Sequence, residues 1–295
     1  MSISQIACAI DATECAIVRL KPAGSARYSL TECTTFPFGA GDLASAKGER
    51  RLKKLTMHLK KWQEEDLALS VGPETYLPLP AYFPAGASRE ACREYCNIEA
   101  RYFLHRPEEY NCDMTAFANG CCDKLHQKQL LLFYPAAAGR RATEQFAVHH
   151  PIVFSGTPQL PLQHLSRLSA ERQVILELEN NYVLLTVAHN GQLERFSCHQ
   201  VKNREEAEYF TIRELKENPV GRDTTVQCTG SKADKSMRAL IAKATSLNLK
   251  PLELPESLPI NNLNQFAPAS GAAVKAISMA LMALAEKEHP AVQGQ

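Results

Sequence analysis

The sequence lacks the features that would indicate a membrane span, a secretion signal or a nucleic-acid surface. No stretch approaches the roughly 18 apolar residues that a membrane-spanning helix needs, because residues 267–285 are interrupted by Lys275 and two serines. The apolar run at residues 6–10 is too short for a signal peptide and ends at Asp11. A net charge of +1 leaves no basic excess for nucleic acid. We therefore expect a soluble, cytoplasmic protein that neither enters a membrane directly nor binds nucleic acid.

Several local signatures of enzymes and metal sites are missing as well. The chain has no Gly-x-Ser-x-Gly turn for a nucleophilic serine and no Gly-x-x-x-x-Gly-Lys-Ser/Thr loop for phosphate. The 10 cysteines include no Cys-x-x-Cys pair, so ordinary reduced thiols are expected. A zinc site is the alternative, since zinc takes a tetrahedral set of thiolate or imidazole ligands. Its candidate ligands are Cys92, Cys96, Cys112, Cys121, Cys122 and His126.

Strand-like and helix-like segments alternate along the chain, which is typical of an α/β protein. Residues 6–10, 14–20 and 27–36 predict an antiparallel three-stranded meander. An amphipathic helix follows at 48–64. The basic run at 50–54 is expected to be the solvated face of this helix, and a docking surface for an acidic partner is the alternative.

Three later stretches carry further predictions. A strand at 75–79 is expected to end at Pro80, because proline has no backbone donor for a sheet. Residues 135–167 contain four prolines and many small residues, and we place the crossover between two domains at 158–168. The apolar closing helix at 271–287 is expected to be a core helix, with a groove for a partner as the alternative.

The second half of the chain repeats the opening of the first half. The segments "ACAIDATECAIVRL" and "VILELENNYVLLTV" both contain a strand, an acidic turn and a second strand. Each is followed by a glycine-containing turn and another strand. Such a repeat predicts a duplicated fold with two lobes and a cleft between them.

Five segments together resemble the actin-like ATPase superfamily, which includes sugar kinases and actin, and within it the PilM-like pilus assembly proteins. The two repeated segments are similar to the two phosphate-binding hairpins of that superfamily. The segments "TTVQCTGSKAD" and "NNLNQFAPASGAAVKAISMAL" are similar to the adenosine-binding strand and to the closing helix. The segment at 88–117 is similar to a PilM helix and the strand after it, through Tyr95, Glu99, Ala100, Pro107 and Asp113.

The resemblance implies a two-lobed actin-like α/β fold with mixed five-stranded sheets and a small extra subdomain. It places the first lobe at 1–160, with an inserted α+β subdomain at about 40–135, and the second lobe at 161–295. It also implies a cleft for ATP and Mg²⁺. PilM-like members are cytoplasmic scaffolds that hold a short peptide from a membrane protein, so a protein or peptide partner of this kind is expected here.

The residues that the resemblance assigns to a cofactor depart from the family pattern. The assigned residues are Asp11, Thr13, Glu177, Glu179, Gly230 and Ser231. The first turn keeps its Asp but has Thr13 where the family has Gly, so a Cβ stands where a phosphate would approach backbone N–H groups. The second turn reads Glu177-Leu178-Glu179, and a carboxylate beside a phosphate costs on the order of a few kcal/mol. ATP hydrolysis is therefore not expected.

Two interpretations of the acidic turns remain open. Asp11 and Glu177 would face each other across an actin-like cleft and, with Glu179, offer oxygen ligands for Mg²⁺ or Ca²⁺. Alternatively, Glu177 and Glu179 are solvated residues at the mouth of the cleft. We expect a degenerate actin-like scaffold for a membrane-associated complex of the pilus or secretion type. The alternatives are a divergent ATP-binding protein or ATPase/kinase and a structural relic; the sequence leaves the oligomeric state open.

Overall fold

The structure, a computed structural model, describes residues 4–288 except 25–26, 44, 124, 170, 218–219, 222–223, 259 and 267–269. Its strands are β1 (Gln5–Ile10), β2 (Cys15–Pro22), β3 (Tyr28–Phe36), β4 (Leu67–Val71), β5 (Leu77–Pro84), β6 (Tyr110–Asp123), β7 (His126–Pro135), β8 (Ile152–Gly156), β9 (Gln173–Leu178), β10 (Tyr182–His189), β11 (Gln192–Gln200), β12 (Thr225–Thr229), β13 (Asn248–Pro251) and β14 (Ile260–Asn261). Its helices are α1 (Ala46–Leu59), α2 (Arg89–Phe103), α3 (Ala137–Ala147), α4 (Gln159–Leu168), α5 (Arg204–Glu217), α6 (Lys235–Thr245), α7 (Leu263–Phe266) and α8 (Gly271–Glu288).

Two sheets share one strand order, which confirms the internal repeat. The first sheet, from one edge to the other, has the order β8-β4-β1-β2-β3-β14. The second sheet has the order β13-β12-β9-β10-β11-β6-β7-β5. In each, an antiparallel meander is extended by two parallel strands: β3-β2-β1 by β4 and β8, and β11-β10-β9 by β12 and β13. The expected five-stranded mixed sheets are thus present, and each has additional strands. We call the sheet of β1–β4 and β8 with its helices the first lobe, and the sheet of β9–β13 with its helices the second lobe.

The strands added to the second sheet form a separate layer with α2, which we call the β5–β7 unit. One residue pair, Leu193 with Phe117, pairs β11 with β6, and Leu132 and Tyr134 of β7 also pack in one buried cluster with Tyr182 and Leu184 of β10. Residues of α2 pack on Leu131 and Phe133 of β7 in a small core of their own. The residue bounds predicted for the lobes and for the inserted subdomain stay predictions.

The structure corrects the predicted end of β5. The strand continues through Pro80 to Pro84, at the edge of the sheet, where it pairs with β7. Its three prolines occupy positions 78, 80 and 84, all of the same parity. Because alternate residues of a strand point their N–H groups to opposite sides, the missing donors all face one edge, and an edge strand tolerates this.

Residues 135–167, which are rich in proline and small residues and include the start of the predicted crossover, contain α3, β8 and most of α4. Pro158 is the N-cap of α4, and Pro161 lies in its first turn. The first N–H groups of a helix have no partner within that helix, so a proline at these positions removes no helical hydrogen bond. The predicted crossover is therefore helical, and α4 packs against α8 and against β9, β10 and β11.

Helix α8 is a core helix, as expected, rather than an exposed partner groove. Its residues from Ala272 to Leu284 are all buried, and it packs on β1, β2 and β4 of the first lobe. On the other face of that sheet, α1 and α3 cover β1 through Leu52, Leu55 and Phe146. None of the helices in the described part of the chain is long and apolar enough to cross a membrane.

Candidate functional site

The turns after β1 and β9 meet the end of β12 at a cavity of about 270 Å³. This is the cleft that the repeated hairpins predict. Five of the six residues assigned to a cofactor line it: Asp11, Thr13, Glu179, Gly230 and Ser231. The sixth, Glu177, is not part of the lining and is only 1% exposed.

A lysine that the sequence analysis did not assign to the site joins the two acidic turns. Lys275 of α8 is 0% exposed, and its Nζ lies 2.9 and 3.0 Å from the two carboxylate oxygens of Asp11. The same Nζ is 3.7 Å from Oε1 of Glu177. Burial alone would lower the pKa of this ammonium, but Asp11, Glu177 and Glu179 outweigh burial and raise the pKa. Lys275 is therefore a charged group fixed between the lobes.

Glu177 is held in a closed network rather than at a cleft mouth. Gln159 donates from Nε2 to its Oε2 at 2.8 Å, and the Tyr182 hydroxyl donates to Oε1 at 2.7 Å. The ring of Tyr182 packs edge-on against Tyr76 with centroids 5.1 Å apart. The interpretation of Glu177 and Glu179 as solvated residues is wrong, because both are buried and Glu177 contacts Gln159 of α4 and Lys275 of α8.

Glu179 is buried at the edge of the cavity and is 5% exposed. Its Oε2 accepts a hydrogen bond from the Ser231 hydroxyl at 2.5 Å. Burial, assisted by the charge of Glu177, raises the pKa of Glu179 to about 7, although Lys275 opposes the rise. At neutral pH this carboxyl is accordingly divided between its neutral and charged forms.

The first turn is occupied by the protein's own groups. Oε1 of Glu14 accepts from the backbone N–H of Ala272 at 3.2 Å, in the first turn of α8. The positive end of a helix is a natural site for a phosphate, and here a carboxylate of the chain lies there. The backbone at Gly39 covers the Ala12–Thr13 peptide so closely that a Cβ would lie 2.1 Å from the Ala12 oxygen.

The second turn is packed in a similar way. Gly230 has φ +101°, and a Cβ there would lie 2.3 Å from the carbonyl oxygen of Leu178. The same oxygen accepts from the N–H of Lys232 at 2.9 Å, and the N–H of Glu179 donates to Tyr182 O at 3.0 Å. Gly230 is therefore required for close contact between the end of β12 and the second turn.

The donor set does not fit Mg²⁺–ATP. The space between Asp11 and Glu177, where the metal was predicted, is bridged by the Lys275 ammonium. A metal ligand must be a lone-pair donor, and an ammonium has none to offer. Among the described side chains, no group of three or more His, Cys, Asp or Glu residues could hold a metal. Two of the candidate zinc ligands, Cys121 and Cys122, have side chains that lie outside the described part of the structure.

Sequence reasoning therefore found the turns but missed what joins them. The missed residues are Lys275, Gln159 and Tyr182. One signal was available: Lys275 is the only charged residue from Ala272 to Leu284, a stretch that is apolar apart from Lys275 and Ser278. A lone charge on a helix that is buried all round must have a partner, because an unpaired buried charge is prohibitively costly.

No protein-family model matches the chain, and no curated protein matches its sequence. In structure it is similar to a chain of the PilM–PilN type IV pilus biogenesis complex, with a TM-score of 0.71 at 13% identity, over 95% of this chain and 98% of that one. It is also similar to a Bacteroides thetaiotaomicron protein of actin-like ATPase fold and unknown function, with a TM-score of 0.56 at 11% identity, over 94% and 95% of the two chains. At these identities the likeness defines the fold: the chain has the two-lobed actin-like ATPase fold.

Proposed function

We propose that the chain is a catalytically degenerate actin-like protein that acts as a cytoplasmic scaffold for a protein or peptide partner. The complex it serves is membrane-associated and of the pilus or secretion type. The observation that carries this proposal is the Lys275 ammonium, which is bonded to Asp11 and lies 3.7 Å from Glu177. The chain thus supplies its own cation at the point where an actin-like ATPase would need a metal ion.

Electrostatics support the same conclusion. The cavity is bordered by the carboxyl groups of Glu14 and Glu179 in addition to that of Asp11. A bound triphosphate would bring further negative charge next to these groups in a partly desolvated space, where like charges repel strongly. Glu14 already occupies the first turn of α8 by accepting from Ala272.

The ion pair also bears on the scaffold role. Lys275 lies on a helix that packs on the first lobe, whereas Glu177 lies on β9 of the second lobe. Gln159 of α4, a helix that packs against both α8 and the second sheet, adds a further bond to Glu177. The two lobes are therefore connected without a nucleotide, which suits a protein whose job is to present a fixed surface.

A protein partner is supported by the similarity to a chain of the PilM–PilN complex over nearly the whole length. The test is an array of synthetic peptides covering the cytoplasmic tails of the host's inner-membrane pilus and secretion proteins. We expect one tail to bind the purified chain with equal affinity in the presence and absence of Mg²⁺–ATP. Affinity that depends on the nucleotide, or no binding tail at all, would contradict the scaffold.

Mg²⁺–ATP is expected to leave the thermal midpoint of the chain unchanged to within about 1 °C. A ligand present at about 100 times its dissociation constant stabilises by about 2.7 kcal/mol, which shifts the midpoint of a protein of this size by several degrees. The measurement is differential scanning fluorimetry at millimolar ATP, with MgCl₂ alone and ATP without metal as controls. An increase of several degrees that requires both components would refute the degenerate cleft.

One observation favours the second candidate, a divergent ATP-binding protein or ATPase. The hydroxyl of Thr229 is buried at the cavity and has no hydrogen-bond partner among the described residues. A buried hydroxyl without a hydrogen bond is destabilising unless a ligand or a water molecule forms that hydrogen bond. If the chain is an ATPase, it shows measurable ATP turnover that Asp11→Ala abolishes. Absence of turnover in the wild type with Mg²⁺ or Mn²⁺ would dismiss the ATPase, and an unchanged thermal midpoint with Mg²⁺–ATP would dismiss the ATP-binding protein.

A further inference from the structure

One face of α2 exposes a line of apolar side chains. Tyr95, Ile98 and Tyr102 are 43%, 49% and 82% exposed, and Ala91 lies one turn before them. The opposite side of the helix is buried against β7 through Cys92, Cys96 and Ala100. We call Ala91, Tyr95, Ile98 and Tyr102 the α2 stripe.

The spacing of the α2 stripe is that of a helix–helix seam. The four residues follow each other at intervals of four, three and four, which is the spacing of the a and d positions of a heptad. A seam of this kind keeps facing a second helix over its length. The stripe therefore fits an α-helix as its occupant rather than a strand.

The side-chain sizes of the α2 stripe favour a second copy of α2 in antiparallel orientation. In antiparallel pairing, residues at a positions face residues at d positions of the other helix. Tyr102 then faces Ala91 of the second copy, and Tyr95 faces Ile98. The most exposed aromatic ring thus meets the smallest side chain, which is the alternation of large and small that close packing requires.

Charges beside the stripe favour the same arrangement. Glu94 and Arg101 are seven residues apart, so they lie on the same flank of the stripe. Both are exposed, and neither forms an ion pair with any residue in the described part of the chain. Antiparallel pairing places Glu94 of one copy beside Arg101 of the other, twice by symmetry. Parallel pairing would instead place Glu94 beside Glu99 of the second copy, which is repulsive.

We propose that α2 is a self-association surface, through which two copies of the chain pair antiparallel along the α2 stripe, with Glu94 of each copy facing Arg101 of the other. The helix has 15 residues, so the contact falls at the small end of specific interfaces, below about 1,200 Å². The dimer is accordingly weak and depends on protein concentration. The proposal is independent of whether the cleft binds a nucleotide.

Sedimentation velocity of the full chain over a concentration series tests the proposal. The wild type is expected to change from monomer to dimer in the micromolar range. Glu94→Arg or Arg101→Glu alone should weaken the dimer about ten-fold, because each change places like charges together at both symmetric contacts. The double variant Glu94→Arg/Arg101→Glu should restore the wild-type dissociation constant to within about three-fold.

Arg93→Glu is the matched control, since it reverses an exposed charge on the same helix but away from the α2 stripe. It should leave the dissociation constant unchanged. Ile98→Glu, which places a charge in the seam, should leave the chain monomeric with an unaltered circular dichroism spectrum. A wild type that stays monomeric at all concentrations would show that the stripe serves another occupant and would overturn the proposal. Failure of the double variant to restore the dimer would equally overturn it.

Discussion

Lys275→Met is expected to destabilise the fold by about 3–5 kcal/mol, because it leaves two buried carboxylates without their cation. Methionine keeps most of the volume of the aliphatic chain. The loss of stability therefore measures the removal of the charge rather than the creation of a cavity. The affected groups are Asp11, at 2.9 and 3.0 Å from Nζ, and Glu177, at 3.7 Å. Urea unfolding at neutral pH, followed by far-ultraviolet circular dichroism, measures the change in the free energy of unfolding.

Lys287→Met provides the matched control on the same helix. Lys287 also pairs with a carboxylate, that of Asp66, in a partly exposed ion pair, and it donates a hydrogen bond to Oε1 of Gln5. Partly exposed pairs contribute roughly 0–1 kcal/mol and a hydrogen bond about 1 kcal/mol, so this variant should lose at most about 2 kcal/mol, less than Lys275→Met. If both variants lost the same small amount, Lys275 would not be the cation that organises the cleft.

A double variant separates loss of a pair from loss of a single charge. Asp11→Asn/Lys275→Met removes the ammonium together with the carboxylate it touches. The two single changes should add up to more than the loss in the double variant, with a coupling energy of about 1–3 kcal/mol. Additive losses would mean that Asp11 and Lys275 do not act as a pair, and would contradict the geometry.

The hairpins around the site could be predicted because their signals are local. Short, nearly continuous apolar runs define β1, β2, β9 and β10, and the Asn190–Gly191 pair defines the turn to β11. Both of these residues have positive φ, 51° and 77°, as a two-residue hairpin turn requires. These local signals predict the two hairpins, whereas the cleft was predicted from the internal repeat and the position of both turns at it from the resemblance to actin-like ATPases.

The bond that joins the turns could not be predicted in this way, because it depends on how distant elements pack. Lys275 is 264 positions from Asp11, and its lone charge on a mostly apolar helix indicates a buried partner without identifying which residue that partner is. The burial of Glu177 likewise depends on α4, in the stretch where the sequence predicted only a crossover between two domains. Sequence periodicity specifies which face of an element is buried, but it does not specify which element covers it.

Glu179→Gln is expected to stabilise the chain at about pH 8 and to have little effect at about pH 5. Burial first, and then the charge of Glu177, raises the pKa of Glu179 from 4.5 to about 7 in the folded state. The folded state therefore binds this proton more tightly than the unfolded chain does. The resulting stability is fully present below pH 4.5 and is lost as the pH rises through 7.

The size of the effect follows from the shift in pKa. Each unit of difference in pKa between the folded and unfolded states corresponds to about 1.4 kcal/mol. The wild type therefore loses up to about 3 kcal/mol of unfolding free energy from this one group. Glutamine is neutral at every pH, keeps the shape of the side chain and can still accept a hydrogen bond from Ser231. The variant therefore does not lose stability as the pH rises. The attraction that Lys275 exerts on the charged form opposes the rise and is already included in the net shift.

The measurement is urea unfolding of the wild type and of Glu179→Gln at about pH 5 and pH 8. Glu256→Gln is the control, because Glu256 is exposed and forms no ion pair with the described residues; its difference from wild type should be near zero at both pH values. A gain for Glu179→Gln that appears only at the higher pH identifies a carboxyl group whose charged form the cleft disfavours. Equal differences at the two pH values, or a loss at pH 8, would mean that Glu179 is stabilised as an anion. A cleft that disfavours one additional carboxylate also disfavours a triphosphate, so this titration tests the electrostatic basis of the proposed scaffold without adding a nucleotide.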